Sequence, residues 1–554
     1  MTNPTVSGTC AALAERVDVV VVGAGLAGLY ILHCLRTRGL SARAFEAGSD
    51  VGGTWYWNRY PGARVDVESM QYSYNFSDEL IREWTWTEKF AAQPELLRYI
   101  NHVADRFDLR RDVKFNTRVT SALFDDETNH WTLQTEQGDV ATAPYCIMAT
   151  GSLSKPYRPP FPGLEGFSGD WYHTATWPHE EVDFAGKRVG IIGTGSTGIQ
   201  AIPVVAAQAK HLTIFQRTAN YSTPSRNRPL ADEEQRTFNA RREQWQDEVR
   251  HTFAAMTGFP VPRSHYDDTP QQRRRLLEER WLAGGMPQSM LATYKDINVD
   301  VEANALVANF IREKIRDIVK DPEVADILSP SEELPLGSKR PPIDTDYYET
   351  FNRDNVTLVD VKTAPIERVT ANGINTSEAQ YDLDAIIFAT GFDAMTGTLL
   401  AIDIGTRAGV ALKDLWTNGP VSYLGLMVAG MPNLFMINGP GSPSVKVNMI
   451  IALEQHTDWI MALLDHLGSG AQDRVEATDE AQAAWVEHTR EVAEATLFAA
   501  PDSWYVGANI PGKKRVFMPY LGGFEKYWKL CEEIAAEGYR GFVLSRNEHA
   551  RRVG

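Results

Sequence analysis

The chain has 554 residues, of which 43% are hydrophobic and 23% are charged, and its formal net charge is −17. This composition is typical of a folded globular protein, and its acidic balance disfavours nonspecific binding to nucleic acid or anionic lipid. No apolar run is long enough for a transmembrane helix and no signal-peptide pattern is present, so we expect a cytoplasmic protein without membrane contact.

The cysteines also exclude several classes of protein. They are widely separated and form no CxxC pair, which disfavours a disulfide framework, a zinc ribbon and a redox-active dithiol. No metal site is predicted. The four cysteines are Cys10, Cys34, Cys146 and Cys531.

The first predicted unit is a strand–helix–strand segment near the start of the chain. Residues 17–22 predict a strand buried on both faces, residues 29–38 a helix and residues 41–45 a second strand. The sequence GAGLAG joins the first strand to the helix, and Glu46 follows the second strand. This order of strand, GxGxxG, helix, strand and acid predicts a dinucleotide-binding βαβ unit.

Each residue of this motif has a physical function. Gly23 permits the tight turn, Gly25 lets a pyrophosphate approach the backbone, and Gly28 lets the helix pack against the strand. The helix N-terminus supplies free N–H groups for the phosphates, and the Glu46 carboxylate can accept hydrogen bonds from a ribose diol. The alternative is a glycine-rich turn without a ligand.

The same unit recurs later in the chain. Residues 187–192 and 211–215 predict strands, and residues 199–209 predict the helix between them, after the sequence GTGSTG. Gln216 takes the place of the acid and Arg217 follows it, which favours a ribose 2′-phosphate over a free diol. We therefore predict FAD at the first unit and NADPH at the second, the alternative being that Arg217 is only a surface charge. The predicted NADPH contacts in this unit are Gly193, Gly195, Ser196, Thr197, Gly198, Arg217 and Thr218.

The remaining patterns indicate how the two units are connected. Apolar strands at 146–148 and 385–388 each run into an Ala-Thr-Gly turn, which fits crossings between domains, and residues 225–330 have helical composition, including predicted helices at 232–252 and 303–320. The predicted fold is α/β, with two Rossmann-like domains in a two-dinucleotide-binding flavoprotein and a helical insertion. The predicted segments are 1–152 and 391–554 for the FAD-binding domain, 153–224 and 335–390 for the NADP-binding domain, and 225–334 for the insertion.

Three further motifs carry a family resemblance. Residues 167–178 match FxGxxxHxxxWP at every fixed position, residues 52–55 (GGTW) and 60–62 (YPG) precede Asp66, and residues 337–340 read GSKR. In these motifs the chain resembles the type I Baeyer–Villiger monooxygenases, from about residue 15 to residue 540, and most closely the phenylacetone and steroid monooxygenase branch.

The resemblance implies a flavin reaction. NADPH reduces FAD, O₂ then forms a C4a-peroxyflavin, and this species attacks a ketone to give an ester or lactone plus water. Arg340 matches the family's active-site arginine and Asp66 the carboxylate that holds it, the alternative being a structural ion pair between domains. The resemblance also implies a small-molecule ketone and O₂ as partners, no nucleic acid and a monomer.

The resemblance extends the list of cofactor contacts. Lys339 is expected to join Arg217 at the 2′-phosphate, and Trp504 to contact the nicotinamide cofactor unless it only packs in its loop. His173 is expected to brace the junction before the NADP-binding domain rather than to act as a general base. The expected FAD contacts are Gly23, Gly25, Gly28, Glu46, Gly53, Thr54, Trp55, Asp66, Tyr72 and Met449.

Three other functions remain to be weighed. A flavin monooxygenase that oxidises nitrogen or sulfur shares both GxGxxG motifs, but the Trp177-Pro178 ending, Asp66 and the Arg340 segment favour ketone oxidation. A disulfide reductase needs a close cysteine pair, which the sequence lacks. A noncatalytic redox sensor would not need the Arg340 segment. The sequence does not indicate which ketone is the substrate.

Overall fold

In the computed structural model, the part of the chain that the structure describes comprises residues 14–257, 263–286 and 288–547. Cys10, the two ends of the predicted FAD-binding domain and a few residues of the predicted insertion lie outside these ranges.

A five-stranded parallel sheet carries the first nucleotide unit. Its central strand Val19–Val22 has Val19 and Val21 in one apolar core and Val20 and Val22 in another, so both faces are buried as the apolar run predicts. The helix Leu26–Thr37 follows the glycine-rich turn and begins three residues before the predicted start, because Gly25 serves as its N-cap. The strand order is Leu434–Met436, Tyr145–Met148, Val19–Val22, Ala42–Phe45 and Val113–Lys114.

A second sheet, with two antiparallel and two parallel strand pairs, covers one face of this parallel sheet. Its side chains Phe124, Trp131 and Ile404 lie in the same core as Val20 and Val22. The opposite face is covered by Leu26–Thr37 and the long helix Met449–Ser469. The strands of the covering sheet, in order, are Glu15–Arg16, Val140–Ala143, His130–Thr135, Val119–Asp125 and Asp403–Thr406.

Another five-stranded parallel sheet carries the second nucleotide unit. The helix Ser196–Gln208 packs on one face, and a three-stranded antiparallel sheet (Ile366–Thr370, Gly373–Thr376, Gln380–Asp382) packs on the other. The strand order is Val356–Asp360, His211–Gln216, Arg188–Ile192, Ala385–Phe388 and Asp170–His173. The edge strand Asp170–His173 belongs to the FxGxxxHxxxWP motif, so this motif is part of the sheet.

The helical segment corrects one prediction. Residues 232–252 form two helices, Asp232–Ala240 and Arg242–Arg250, instead of one, with a break at Arg241. The break lets the buried Arg242 side chain donate hydrogen bonds to the carbonyl oxygens of Met70, Ser73 and Tyr74. The helix predicted at 303–320 is found as Val301–Ile318, with Asp300 as its N-cap.

Shorter elements complete the fold. Two strand pairs join Thr223–Pro224 to Ile343–Asp344 and Arg474–Ala477 to Phe542–Ser545. No helix within the described ranges has both the length and the apolar character needed to cross a bilayer. The remaining α-helices are Thr54–Trp57, Asp78–Glu83, Gln93–Arg106, Pro270–Ala283, Gln288–Leu291, Pro322–Leu328, Tyr347–Thr350, Leu412–Leu415, Asp479–Glu494 and Phe524–Ala536. The 3₁₀ turns are Leu109–Asp112, Leu164–Gly166, Thr174–Thr176, His265–Asp267, Leu399–Ala401, Ser444–Lys446 and Trp504–Val506.

Candidate active site

The first glycine-rich turn forms a cradle at the C-terminal edge of its sheet. Gly23 has φ +106°, and a Cβ atom there would lie 2.5 Å from the Ala149 carbonyl oxygen, so only glycine fits. A Cβ on Gly53 would lie 2.8 Å from the Gly25 Cα, so the two backbones approach closely at this point. Gly25 begins the helix without a side-chain cap, which leaves first-turn N–H groups available for a phosphate.

Glu46 lies at the end of its strand and faces this turn. Its side chain is buried, and its two carboxylate oxygens accept hydrogen bonds from the N–H groups of Ala24 (2.8 Å) and Gly48 (2.7 Å). Each oxygen keeps a second lone pair for a ribose hydroxyl. The cradle and the carboxylate together fit the pyrophosphate and ribose of FAD.

The GGTW motif lies next to the cradle. Thr54 begins the short helix Thr54–Trp57 and is exposed, whereas Trp55 is buried. The Trp55 Nε1–H donates to the Tyr72 hydroxyl at 3.3 Å, and the two rings meet edge to face. These residues connect the glycine-rich turn to the segment that carries Asp66.

The second glycine-rich turn repeats the geometry of the first. Gly193 has φ +107°, and a Cβ atom there would lie 2.5 Å from the Ala389 carbonyl oxygen. Gly195 is exposed, and a Cβ atom on it would meet no protein atom within 4 Å. The protein itself therefore does not require glycine at 195, and the open space fits a bound pyrophosphate. Ser196 and Thr197 begin the helix, which has no side-chain cap.

Two cations lie at the end of strand His211–Gln216. Burial, and secondly the positive charge of Arg217, lower the pKa of Lys339, while Asp502 acts in the opposite direction. A dianionic ligand such as a ribose 2′-phosphate would relieve the repulsion between these two positive charges. Gln216 turns away from them and donates its Nε2–H to the Ile327 carbonyl oxygen at 2.7 Å.

The backbone around Thr218 contributes a weaker contact. The Thr218 carbonyl oxygen accepts a hydrogen bond of 3.5 Å from the Thr194 hydroxyl, and the Thr218 side chain is exposed. Gly198 packs against the turn, because a Cβ atom there would lie 2.2 Å from the Gly193 carbonyl oxygen.

An ion pair between distant parts of the chain lies between the two cradles. Arg340 donates from Nε to Asp66 Oδ2 at 2.9 Å and from Nη2 to Asp66 Oδ1 at 2.8 Å. Its Nη1 donates to the Val445 carbonyl oxygen at 2.8 Å. Burial opposes the charged guanidinium, but Asp66 and Tyr505 outweigh this effect and raise the pKa of Arg340.

Three segments therefore meet at Arg340. Asp66 follows the first cradle, Arg340 follows Lys339 of the second nucleotide unit, and Val445 and Tyr505 come from the C-terminal part of the chain. Met449 and Trp504 pack in one apolar cluster with Val445 and Tyr505, so the structure brings these two predicted residues together.

Two residues near the ion pair were missed by the sequence analysis. Tyr505 is buried beside Arg340, and Lys446 follows Val445 with its Nζ 4.6 Å from the Tyr505 ring centroid. A single charge between Val445 and Val447, just before an apolar helix, was the available signal for Lys446. Tyr505 differs from any packed aromatic residue only through its contact with Arg340, which the sequence does not reveal.

His173 has no free ring nitrogen for catalysis. Nδ1 accepts a hydrogen bond from the Ala175 N–H (3.1 Å), so Nε2 carries the proton and donates to the Tyr157 carbonyl oxygen (3.1 Å). Burial lowers the pKa of His173 and favours this neutral form. The ring thus joins the segment before the second sheet to its edge strand.

Gln200 connects the second nucleotide helix to the YPG motif. Its Oε1 accepts from the Tyr60 hydroxyl at 2.8 Å and from the Arg64 N–H at 3.3 Å, and its Nε2–H donates to the Arg64 carbonyl oxygen at 3.0 Å. A Cβ atom on Gly62 would lie 2.3 Å from the Gln200 carbonyl oxygen. This contact keeps the loop before Asp66 against the second nucleotide unit.

Comparison with known proteins gives consistent matches over most of the chain. The flavin-binding monooxygenase-like family matches residues 16–225. Acetone monooxygenase (methyl acetate-forming) of Gordonia sp. strain TY-5 is 44% identical, covering 95% of this chain and 99% of that protein. A Baeyer–Villiger monooxygenase of Pseudooceanicola batsensis is 43% identical, covering 96% of each chain. The structure of oxidised steroid monooxygenase bound to NADP is 49% identical with a TM-score of 0.92, covering 96% of this chain and 100% of that one.

Proposed function

Because this chain belongs to the Baeyer–Villiger monooxygenases, we propose that Arg340, held by Asp66, is the cation that stabilises negative charge on the reacting oxygen atoms. The enzyme is a monooxygenase that uses FAD and NADPH and converts a ketone to an ester or lactone. The residues that perform this reaction are the subject of the proposal.

The Arg340–Asp66 ion pair is the observation that carries the proposal. FAD held at the first cradle would, once reduced by NADPH, activate O₂ so that one of its oxygen atoms is transferred to the ketone. Negative charge then resides on oxygen before and after attack on the carbonyl, and a fixed cation in a poorly hydrated site stabilises it more than water would. Arg340 uses three of its five N–H groups on Asp66 and Val445, and Tyr505 is a further hydrogen-bond partner, so at least one N–H group remains for these oxygen atoms.

The two cradles support an assignment of one cofactor to each nucleotide unit. We place the FAD pyrophosphate at Gly23, Gly25 and Gly28, with its ribose at Glu46, because this is the unit that retains the acid. NADPH is placed at the second turn, with its 2′-phosphate between Arg217 and Lys339. The buried Trp55 and the half-buried Tyr72 then lie beside this FAD site.

The domain boundaries, the oligomeric state and the cellular location also remain proposals. The boundaries near residues 152, 224, 334 and 390 divide the chain so that each parallel sheet keeps its own nucleotide turn. A monomeric state and a cytoplasmic location are inferred from the resemblance and from the sequence alone.

The test is turnover with NADPH, isotopically heavy O₂ and a panel of aryl, cyclic, linear and steroid ketones, with products identified by mass spectrometry. We expect an ester or lactone that carries one heavy oxygen, and loss of this product in Arg340→Ala but not in Arg82→Ala, an exposed arginine elsewhere. Heavy oxygen found only in N-oxides or sulfoxides, when a second panel of amines and sulfides is tested, would establish nitrogen or sulfur oxygenation instead. Full ester formation by Arg340→Ala would overturn the role of Arg340.

A further inference from the structure

Lys446 is a second cation beside the proposed catalytic arginine. It ends the 3₁₀ turn Ser444–Lys446, whose Val445 carbonyl oxygen accepts the hydrogen bond from Arg340 Nη1. The Lys446 Nζ lies 4.6 Å from the Tyr505 ring centroid and 5.0 Å from that of Phe498, and it donates a long hydrogen bond of 3.5 Å to the Gly337 carbonyl oxygen.

The charges around Tyr505 do not balance. Arg340 is paired with Asp66, whereas Lys446 lies beside the same arginine and has no such pair. Both oxygens of Asp66 already accept hydrogen bonds from Arg340. Within the described ranges, no carboxylate lies within ion-pairing distance of the Lys446 Nζ, so this part of the site lacks one negative charge.

The surroundings of Lys446 disfavour its charge. The Phe498 and Tyr505 side chains are buried and form two walls around the ammonium group. Burial, and secondly the charge of Arg340, lower the pKa of Lys446 to about 7. Contacts with ring faces compensate only part of the lost hydration of an ammonium group, and a hydrogen-bonded anion compensates much more.

We propose that the enzyme prefers ketones that carry an anionic group, in the simplest case a carboxylate, which pairs with Lys446 while the ketone carbonyl lies beside Arg340. This inference rests on the proposed function, because it takes Arg340 as the place where the carbonyl reacts. The turn Ser444–Lys446 sets the distance between the carbonyl position and the anion position. It holds the Val445 carbonyl oxygen against Arg340 and the Lys446 side chain against the rings of Phe498 and Tyr505.

The first experiment compares kcat/KM for 4-oxopentanoate with kcat/KM for its methyl ester, which share the same ketone and differ in the charge and one methyl group at the other end. We expect the wild type to prefer the acid by about 10- to 100-fold, the range given by one charge-assisted hydrogen bond. Lys446→Met should remove this preference and Lys446→Arg should retain most of it. Lys362→Met, at an exposed position, is the matched control and should behave as the wild type.

The second experiment measures binding without turnover. Calorimetric titration of 4-oxopentanoate into the oxidised, NADP⁺-loaded holoenzyme should show binding that weakens about tenfold or more in Lys446→Met. Unchanged binding in that variant, or equal kcat/KM for acid and ester in the wild type, would overturn the inference.

A neutral ketone separates this inference from the proposed function. If 2-octanone yields an ester while the acid has no advantage over its methyl ester, the anion site is wrong and the ketone chemistry stands. If Arg340→Ala still converts 2-octanone to an ester while 4-oxopentanoate binding depends on Lys446, the anion site stands and the proposed role of Arg340 is wrong.

Discussion

Asp66 and Arg340 meet side-on, with Nε and Nη2 of the guanidinium each donating to a different carboxylate oxygen at 2.9 and 2.8 Å. This arrangement fixes the plane of the guanidinium, and the third hydrogen bond to Val445 fixes its rotation. The remaining N–H groups therefore have a defined direction before any substrate binds, which is the condition for electrostatic stabilisation without reorganisation.

The variant Arg340→Lys should distinguish the effect of the positive charge from the effect of the guanidinium hydrogen bonds. The lysine keeps a positive charge but cannot make the two parallel hydrogen bonds to Asp66, so we expect ester formation to fall about 10²-fold or more. Reduction of FAD by NADPH should continue, because its hydride transfer does not involve the ketone. Stopped-flow flavin absorbance and product analysis measure the two steps separately, and equal losses in both would contradict the assignment.

The glycines at 28 and 195 should respond differently to alanine. A Cβ atom on Gly28 would lie 2.0 Å from the Gly23 carbonyl oxygen, so Gly28→Ala should lower the melting temperature, at a cost of about 1–3 kcal/mol or more. Gly195 has open space around it and a negative φ of −81°, so Gly195→Ala should keep its melting temperature. Its KM for NADPH should rise about tenfold, or roughly 1.4 kcal/mol. A large loss of stability in Gly195→Ala would show that the space is not for a ligand.

Arg217→Ala should change the choice of nucleotide. Loss of a charge-assisted hydrogen bond to the 2′-phosphate predicts an increase of about 10- to 100-fold in KM for NADPH, with little change for NADH. Arg82→Ala removes the same charge from an exposed helix and is the control. A wild type that already prefers NADH would rule out this assignment.

The stability of the protein should depend on Lys446 and on pH together. The pKa of Lys446 is about 7 in the folded state, whereas the unfolded value is about 10.5. Below pH 7 both states hold the proton and the folded state bears the full cost of the buried charge, and between pH 7 and about 10.5 this cost disappears. The groups facing Lys446 are Arg340 and Tyr505, from two different segments.

We therefore expect Lys446→Met to be more stable than the wild type at pH 6, with the difference shrinking as the pH rises to 10. Thermal unfolding of both proteins across this range, without added keto acid, measures the difference. A difference that stays constant with pH would show that Lys446 is hydrated in the folded protein.

His173→Asn should affect stability and leave the chemistry intact. Both ring nitrogens of His173 are used in hydrogen bonds to the backbone, so the asparagine should lower the melting temperature by weakening the contact with Tyr157. The pH profile of ester formation should keep its shape. Loss of one limb of that profile would identify His173 as an acid or base.

Much of the fold follows from the sequence because its signals are local. The runs at 17–22 and 187–192 contain the strands Val19–Val22 and Arg188–Ile192, and each GxGxxG sequence lies where strand and helix meet. The break at Arg241 could not be predicted, because it depends on carbonyl groups of residues 70–74, far away in the chain. Helical composition at 232–252 indicated the type of element but not its interruption.

Residues of the site could be predicted from the sequence only where they belong to a recognisable motif. Arg340 and Asp66 were found through family motifs, since nothing in their sequence neighbourhoods indicates that they form an ion pair. Lys446 carries no motif, and its importance depends on which side chains surround it after folding. Tertiary contacts over more than a hundred residues, such as Arg340 with Val445, are outside the range of local patterns.

Gln200 connects the helix of the second nucleotide unit to the loop that carries Asp66. Its side-chain amide accepts a hydrogen bond from the Arg64 N–H and donates one to the Arg64 carbonyl oxygen, and Asp66 follows two residues later. Gln200 belongs to the helix whose first turn faces the second nucleotide. Any displacement of that helix must therefore either carry the loop before Asp66 with it or break the hydrogen bonds between Gln200 and Arg64, so we expect such a displacement to move Asp66 and, with it, Arg340.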